Sequence, residues 1–372
     1  MTLSLFRRIV IKIGSALVVE PRTATPRAEW MAGIAADVAA LRGRGAEIIL
    51  VSSGAVALAR RALGLTRRTL RLEEKQAAAA VGQIRLAGAW QDALATHGLN
   101  AAQVLLTMAE SEDRRRYLNA RATLNTLIEL NCIPVINEND TVATTEIRFG
   151  DNDRLAARVA EMVSADALIL LSDIDGLYTA DPRTDPAATH IPQVERVTDE
   201  IMAMGGEPPP GYSSGGMRTK LIAARIATGA GCAMAIARGD VANPIAALQA
   251  GARCTWFAAA PEGRQARKSW IAGSLDPQGI LLVDDGAARA LRTGRSLLPA
   301  GVREVKGRFQ RGDAVSILGP DGSELARGLS AYDSADAAVI AGHRSAEIEA
   351  LLGWRGRDEI IHRDDLVLLQ HG

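Results

Sequence analysis

Short runs of apolar, often β-branched residues recur through the first 260 residues of the chain and alternate with longer segments whose pattern suits helices. The apolar runs lie at residues 9–13, 47–51, 102–106, 133–136 and 167–171, and the helical segments at 28–41, 74–96, 111–130 and 153–162. Strands this uniformly apolar are buried on both faces, which is typical of a parallel sheet covered by helices. The pattern predicts an α/β fold with an open, mostly parallel sheet between two layers of helices.

The alternation is interrupted once and then ends. A polar, proline-containing stretch covers residues 173–210, after which the pattern resumes with a helix containing Lys220, a strand at 232–237, a helix from Pro244 and a strand at 255–258. Beyond a segment rich in charge and glycine, short alternating runs at 280–283, 301–305, 314–318 and 324–329 are separated by turn signals. We therefore expect an α/β domain over residues 1–260, a linker over 261–278 and a small β-barrel-like domain over 279–372.

Composition narrows the class of protein. The 372 residues are 48% hydrophobic, enough for two cores, and the formal net charge of 0 removes the overall electrostatic argument for a polyanionic partner. The three cysteines lie far apart, with neither metal-ligand spacing nor an even disulfide framework, which indicates a reducing compartment. There is no signal-peptide core and no apolar run long enough to span a bilayer. We expect a cytoplasmic protein without a membrane partner.

The stretch Ser-Ser-Gly-Gly-Met-Arg-Thr-Lys at residues 213–220 stands immediately before an apolar helical run. Such a join brings free backbone N–H groups, the positive end of the helix dipole and an ammonium group together, which suits a phosphate. Lysine is rare here, since only five of the 43 basic residues are lysines, and a compact ammonium binds phosphate as a point charge. The alternative reading is a flexible connector.

Other polar clusters stand where ligands collect in an open parallel sheet, beyond the carboxyl ends of the strands. They lie at residues 12–15, 52–55, 137–140 and 172–173, and a further cluster at 150–153 begins a helix. Each has a structural alternative: an edge lysine, a helix cap, a first-turn carboxylate or a turn. Together they describe lysines that stabilise a transferring phosphoryl group, with carboxylates and carboxamides beside them. The sequence contains no P-loop motif, and it suggests neither a Ser-His-Asp nor a zinc arrangement.

These residues resemble those of the amino acid kinase family. The segments that carry the resemblance are 11–15, 51–55, 80–83, 134–140, 149–153, 175–182 and 215–220. Asn-Glu-Asn-Asp at 137–140 together with Gly-Asp-Asn-Asp at 150–153 is typical of the members that phosphorylate glutamate. The tail resembles a PUA domain at residues 283–287, 296–302 and 309–313. The resemblance implies the amino acid kinase fold followed by a small β-barrel-like PUA domain.

The resemblance also implies an activity and a set of site residues. The activity is the ATP-dependent phosphorylation of the γ-carboxylate of L-glutamate to L-glutamyl 5-phosphate, the first step of proline biosynthesis, with Mg²⁺ on the nucleotide. The implied catalytic residues are Lys12, Lys220 and Asp151, of which Asp151 orients the lysines. Glutamate binding falls to Ser53, Gly54, Asp140, Asn152 and Asp153. ATP binding falls to Lys12, Ser172, Asp173, Ser214, Gly215, Gly216, Met217, Arg218, Thr219 and Lys220. No residue is assigned to the metal.

Two positions depart from the family pattern, and several alternatives stay open. Ala16 replaces a hydroxyl, and Arg148 replaces a lysine, which bears on substrate affinity. A neighbouring specificity for acetylglutamate, aspartate or a nucleoside monophosphate is disfavoured by the PUA-like tail and by Asp140, which suits a free α-ammonium. The resemblance further implies a homo-oligomer, either a dimer or a tetramer, with proline as feedback inhibitor. RNA binding is not expected, because residues 280–372 carry 12 Lys and Arg against 14 Asp and Glu.

Overall fold

The computed structural model describes residues 2–65, 69–143, 152–206, 216–261 and 277–369 and divides the chain into two compact units, Met1–Gly263 and Arg264–Gly372. Each unit has its own hydrophobic core. Two clusters of buried side chains fill the first unit, one on each face of its sheet, and one cluster fills the second. Among the described residues, each core cluster draws its members from one unit.

The first unit is built on a sheet whose strands follow the apolar runs of the sequence. The strands are β1 (Arg8–Ile13), β2 (Glu47–Ser52), β3 (Asn100–Leu106), β4 (Cys132–Glu138), β5 (Ala167–Ser172), β6 (Leu177–Tyr178), β7 (His190–Ile191), β8 (Gln193–Val194), β9 (Ala233–Arg238) and β10 (Cys254–Phe257). Eight of them form the main sheet in the order β3-β4-β2-β1-β5-β9-β10-β8, and β6 pairs with β7 separately. Neighbours from β3 to β9 are parallel, whereas β10 runs antiparallel to β9. The predicted open, mostly parallel sheet is confirmed.

Helices cover both faces of this sheet. They are α1 (Ser15–Val18), α2 (Ala28–Gly43), α3 (Ala55–Arg60), α4 (Leu72–Ala95), α5 (Ala109–Glu112), α6 (Arg114–Glu129), α7 (Asn152–Met162), α8 (Asp199–Ala203), α9 (Met217–Gly229) and α10 (Pro244–Gln249). Side chains of α2, α4 and α10 pack on one face with Ile9 and Ile11, and those of α6, α7 and α9 pack on the other with Val10. Successive side chains of β1 enter the two cores in turn, because neighbouring residues of a strand point to opposite faces of the sheet.

The prediction of one continuous helix over residues 111–130 is wrong. The chain is extended at Asp113, with φ −80° and ψ 120°, so that α5 ends before it and α6 begins after it. The Asp113 carboxylate accepts a hydrogen bond from the backbone N–H of Arg116 at 2.8 Å, which is the contact of a helix N-cap.

The second unit holds a smaller sheet with helices. Its strands are β11 (Gly279–Val283), β12 (Val302–Gly307), β13 (Ala314–Leu318), β14 (Glu324–Leu329) and β15 (Leu366–Leu368), in the order β12-β11-β13-β14-β15. Its helices are α11 (Asp285–Arg292), α12 (Ser334–Ile340) and α13 (Ile348–Leu352). Short 3-10 helices lie at Leu3–Leu5, Pro299–Gly301, Ser345–Glu347 and Arg363–Asp365. The sequence patterns indicated four of these strands and missed β15 and the three helices.

Candidate active site

The register of the parallel strands brings the predicted polar clusters to one edge of the sheet. Lys12 of β1 lies opposite Val51 of β2 on one side and opposite Leu170 of β5 on the other. Ile13 lies opposite Ser52, and the backbone N–H of Ser53 donates to the carbonyl oxygen of Ile13 at 3.1 Å. The strand ends that carry Lys12, Ser53 and Ser172 are therefore neighbours, as the sequence predicted.

The centre of the site is a buried carboxylate between two ammonium groups. Asp153, at the start of α7, has no exposed surface. Its Oδ1 lies 2.6 Å from Lys12 Nζ, and its Oδ2 accepts a hydrogen bond from Lys220 Nζ at 3.0 Å. Oδ1 accepts no hydrogen bond from any other described residue, so Lys12 is its partner. Both lysines are themselves buried, at 8% and 6% exposed.

The two ammonium groups determine the pKa of the Asp153 carboxyl group. Burial alone raises the pKa of Asp153, but the ammonium groups of Lys12 and Lys220 outweigh that effect and lower the pKa to about 2. Asp153 is therefore a carboxylate throughout the physiological pH range. Two ammonium groups and one carboxylate leave one net positive charge, held in place before any ligand arrives. A preorganised positive charge of this kind stabilises anionic groups without reorganisation.

The amino-terminal end of α9 adds to this positive field. Gly216 is the N-cap of α9, and Lys220 lies in the first turn of the helix. Thr219 Oγ lies 3.1 Å from Asp153 Oδ2 and 2.8 Å from the carbonyl oxygen of Gly216, which ties the start of α9 to the carboxylate. Of the other predicted ATP contacts on this helix, Met217 is half-buried and Arg218 is exposed. The helix dipole therefore points its positive end at the edge where the lysines meet.

A cluster of amide and hydroxyl groups lies next to the charged trio. Asn152, the residue before Asp153, donates through Nδ2 to Asn137 Oδ1 at 3.0 Å and also to Ser53 Oγ. Gly54 follows Ser53 with φ +121°, a backbone conformation that a side chain would strain. Asp140 is half-buried beyond the end of β4. The structure thus brings Ser53, Asn137 and Asn152 into contact at the edge that also holds Lys12.

A second polar group lies on the other side of β1. Ser172 ends β5, is 6% exposed, and donates through its hydroxyl to Asp173 Oδ1 at 3.0 Å. Asp173 itself is exposed. The predicted acceptor residues and the predicted nucleotide residues therefore lie on opposite sides of Lys12, since β2 and β5 flank β1.

Several predicted site residues cannot be placed. Asp151, Ser214 and Gly215 lie outside the described residues, as does the atypical Arg148. Among the described residues, Asp153 contacts both lysines, and the orienting role predicted for Asp151 stays a prediction. Asp153 was predicted to bind glutamate, and its two carboxylate oxygens each contact one of the two lysines. Nothing in the sequence distinguishes the two aspartates on either side of Asn152, although two buried lysines require a buried carboxylate nearby.

Two side-chain contacts in the site were not predicted from the sequence. Asn137 was part of a recognised cluster but received no role, and it anchors the Asn152 side chain. Thr219 was expected at the nucleotide and also contacts Asp153. Side-chain contacts between residues this far apart in sequence have no signal in a single sequence.

The described part of the chain offers no preformed metal cage. No group of three or more His, Cys, Asp or Glu side chains is placed there to hold a metal ion. Mg²⁺ usually keeps several waters and binds through one or two carboxylates together with substrate phosphates. Asp153 is occupied by lysines, whereas the exposed Asp173 lies beside the predicted nucleotide side. The donor set is compatible with a magnesium ion that arrives with a nucleotide.

The fold and the charged edge suit the binding of phosphate groups, and comparison with known proteins identifies the class of protein. The model of the amino acid kinase family matches residues 7–238, and the model of the PUA domain matches residues 279–352. The chain belongs to the amino acid kinase family and carries a PUA domain after its kinase domain. It is therefore an enzyme of the kinase class. No helix in the described ranges is long and apolar enough to cross a membrane.

Curated relatives narrow the comparison to one member of the family. A protein of Gluconobacter oxydans named glutamate 5-kinase is 64% identical over 97% of this chain and 96% of its own length. Glutamate 5-kinases of Paramagnetospirillum magneticum and a Ruegeria species are 62% and 58% identical, covering 97% and 98% of this chain and 98% and 99% of theirs. Over nearly its full length, the chain is a homologue of proteins with this name.

Proposed function

We propose that this enzyme transfers the γ-phosphoryl group of ATP to the γ-carboxylate of L-glutamate and so forms L-glutamyl 5-phosphate, the first step of proline biosynthesis. The observation that carries the proposal is the Lys12-Asp153-Lys220 trio at the carboxyl edge of the sheet. It lies between an amide and hydroxyl cluster on one side and the Ser172 turn on the other. The naming of relatives at 57–64% identity supports the choice of glutamate as acceptor.

The two lysines stabilise the negative charge of the phosphoryl group during its transfer. In phosphoryl transfer the charge spreads over the oxygens of the transferred group, so the protein contributes mainly positioning and positive charge. Lys12 and Lys220 approach from β1 and α9, and Asp153 sets the separation of their ammonium groups. Asp153 is in this account a positioning residue, a role that the sequence analysis gave to Asp151. A general base is unnecessary because the γ-carboxylate of glutamate is already ionised near neutral pH.

The acceptor side binds the rest of the glutamate molecule. Ser53, Gly54 and Asn152 present hydroxyl, backbone and amide groups to a carboxylate, and Asp140 offers a negative charge to the α-ammonium. Ser172, Asp173 and residues 214–220, with the start of α9, hold the nucleotide on the other side. Mg²⁺ would enter on the phosphates of ATP and withdraw charge from them. No residue of the chain is assigned to it.

A panel of acceptors tests the proposal. Release of ADP is measured with ATP and Mg²⁺ in the presence of L-glutamate, acetylglutamate, aspartate or uridine monophosphate. We expect turnover with L-glutamate to exceed turnover with each of the others, because Asp140 suits a free α-ammonium, which acetylglutamate and uridine monophosphate lack, and the names of the relatives favour glutamate over aspartate. Equal or better turnover with acetylglutamate would contradict the assignment of the acceptor while leaving the kinase class intact.

Other expectations stay predictions. These are a cytoplasmic location, supported by three cysteines that form no disulfide with one another, a homo-oligomer of two or four subunits, feedback inhibition by proline and the absence of RNA binding. The division into a kinase domain over residues 1–260, a linker over 261–278 and a PUA domain over 279–372 is likewise proposed. The separate cores of the two compact units support it.

A further inference from the structure

Two tryptophans on the same face of the sheet direct their indole N–H groups at strand ends near the proposed site. Trp30 lies on α2 and Trp90 on α4, and both belong to the same core cluster. Trp90 has no exposed surface and Trp30 is 6% exposed. A buried indole is an apolar body with one polar group that needs an acceptor. The acceptors of these two N–H groups suggest that the tryptophans do more than fill the core.

Trp90 is linked to the acceptor side of the site. Its Nε1 donates to Ser52 Oγ at 2.9 Å, and Ser52, the last residue of β2, has no exposed surface. The Ser52 hydroxyl in turn donates to the carbonyl oxygen of Ser53 at 3.3 Å. Ser53 Oγ then accepts from Asn152. Two hydrogen bonds therefore link a core tryptophan to the backbone of Ser53, whose side chain contacts Asn152 in the half of the site proposed to bind glutamate.

Trp30 is linked to the nucleotide side in a matching way. Its Nε1 donates to the carbonyl oxygen of Gly239 at 2.8 Å. The N–H of Gly239 donates to the carbonyl oxygen of Ser172 at 2.7 Å. Gly239 has no room for a side chain, because an added Cβ would lie 2.5 Å from Leu17 Cδ1 and 2.9 Å from Leu171 Cβ. The Gly239 backbone thus joins the indole of Trp30 to the residue proposed to bind ATP.

We propose that the two indole N–H groups are positioning donors for separate halves of the site, Trp90 for the glutamate half and Trp30 for the ATP half. The inference rests on the proposed function, since it takes the occupants of the two halves from it. Neither tryptophan contacts the charged trio in the described structure. Each acts through one intermediate residue, Ser52 or Gly239, whose orientation it fixes.

The alternative is that both tryptophans only fill the core. Substitution by phenylalanine separates the two accounts, because it removes the N–H at both positions while the loss of ring volume from the core is the same for both. A core-filling role predicts the same consequence for both variants, since both side chains pack in one cluster. The positioning role predicts opposite consequences for the two substrates.

The test measures kcat and both KM values of the full-length enzyme and of its Trp90→Phe and Trp30→Phe variants. For Trp90→Phe we expect the KM for glutamate to rise about three- to tenfold, the effect of one net hydrogen bond, with the KM for ATP within about twofold of wild type. For Trp30→Phe we expect the reverse. Equal changes in both KM values in both variants would overturn the proposal.

A double-mutant cycle provides a readout that poor folding does not imitate. Ser52→Ala removes the acceptor of Trp90 with little change in volume and should raise the KM for glutamate by a similar factor. In the double variant Trp90→Phe/Ser52→Ala the KM should be no higher than in either single variant, because one hydrogen-bond path is lost only once. Multiplied effects would contradict the path. Wild-type enzyme without glutamate-dependent ADP release would contradict the proposed function, a separate result.

Discussion

Lys12 and Lys220 meet at one carboxylate although they come from the first strand and from α9. An interaction made mainly in the transition state lowers kcat when it is removed, whereas one made equally in the ground state changes KM. We expect Lys12→Ala and Lys220→Ala each to lower kcat by about two to three orders of magnitude, or about 2.7–4 kcal/mol. Steady-state kinetics with both substrates measures this, and the Lys220 variant should show the larger change in KM for ATP.

Matched variants make this prediction specific. Lys12→Arg and Lys220→Arg keep the charge but should restore activity only partly, because a planar guanidinium cannot occupy the position of an ammonium. Lys306→Ala removes a lysine of the second unit that is about half exposed and should leave kcat unchanged. If the alanine variants at positions 12 and 220 kept more than about a tenth of wild-type kcat, the proposed mechanism would be wrong.

Asp153 gives stability a specific dependence on pH. Its pKa is about 2 in the folded protein against 3.8 for a free side chain, so the folded state favours the carboxylate. The stabilisation is present above about pH 4, amounts to about 2 kcal/mol, and is lost as the pH falls towards 2. Urea unfolding of wild type and Asp153→Asn between pH 7 and 2.5 should therefore show a difference that narrows at acidic pH.

An exposed aspartate provides the control for this experiment. Asp285→Asn changes an exposed side chain in the first turn of α11. Its difference from wild type should be small throughout that pH range. A difference for Asp153→Asn that stays constant down to pH 2.5 would show that the carboxylate is not held by the two lysines.

Asp140 tests the orientation of the acceptor. Asp140→Asn removes the negative charge proposed to face the α-ammonium of glutamate, so the KM for glutamate should rise strongly while the KM for ATP stays nearly constant. Initial rates measured over a grid of both substrate concentrations separate the two constants. A change confined to the KM for ATP would show that Asp140 belongs to the nucleotide half of the site and that its assignment to glutamate is wrong.

At the residue scale, the sequence predicted the kinds of group in the site better than their contacts. Lys12 and Lys220 stood out because lysine is rare in this chain and both lie at glycine-flanked strand or helix ends. The contacts of Asp153 with both lysines were not predictable, since the sequence offers an aspartate on each side of Asn152 and the choice between them depends on the start of α7. The start of a helix is the least certain part of a sequence pattern.

At the scale of elements, substitutions at two glycines of α4 distinguish the effect of close helix packing on stability from the effect of helix propensity. A Cβ at Gly82 would lie 1.7 Å from the carbonyl oxygen of Ala55, whereas a Cβ at Gly88 would meet nothing within 4 Å. Gly82→Ala should push α4 away from α3, lower the free energy of unfolding by about 1–3 kcal/mol or more, and reduce activity because α3 follows the Ser53 turn. Chemical denaturation and the ADP assay measure the two effects.

Gly88→Ala is the matched substitution on the same helix. It should raise the free energy of unfolding by about 0.5–1 kcal/mol, because alanine is the better helix former and no atom opposes it. Activity should be unchanged. If Gly82→Ala behaved like Gly88→Ala, the contact between α3 and α4 would be looser than the structure shows.

The elements themselves were predictable to different degrees. Buried parallel strands leave uninterrupted apolar runs, so β1, β2, β4 and β5 were located within a residue or two. The break at Asp113 was missed because the helical pattern continues across it and only the cap contact reveals it. In the second unit, β15 has three residues, too few to form a pattern, and helices α11 to α13 are short segments between strands.

At the scale of the whole molecule, the separate cores predict that the first unit folds and acts alone. All residues of the charged trio and of the amide cluster lie in the first unit, and the core cluster of the second begins at Leu281. A fragment of residues 1–278 should therefore be soluble and release ADP with glutamate. Circular dichroism and the acceptor assay, with the full chain alongside, decide this. An insoluble or inactive fragment would show that the two units share a core.

The charged trio also sets when a growing chain becomes a kinase. Lys12 leaves the ribosome early, Asp153 later and Lys220 last, and β5 must lie between β1 and β9 before α9 can bring its lysine to the carboxylate. Until then Asp153 has one ammonium partner and the nucleotide has no second lysine. We therefore expect nascent chains that end before Met217 to lack the activity that depends on Lys220. Fragments from interrupted synthesis should then consume little ATP, and the main activity should appear when α9 docks.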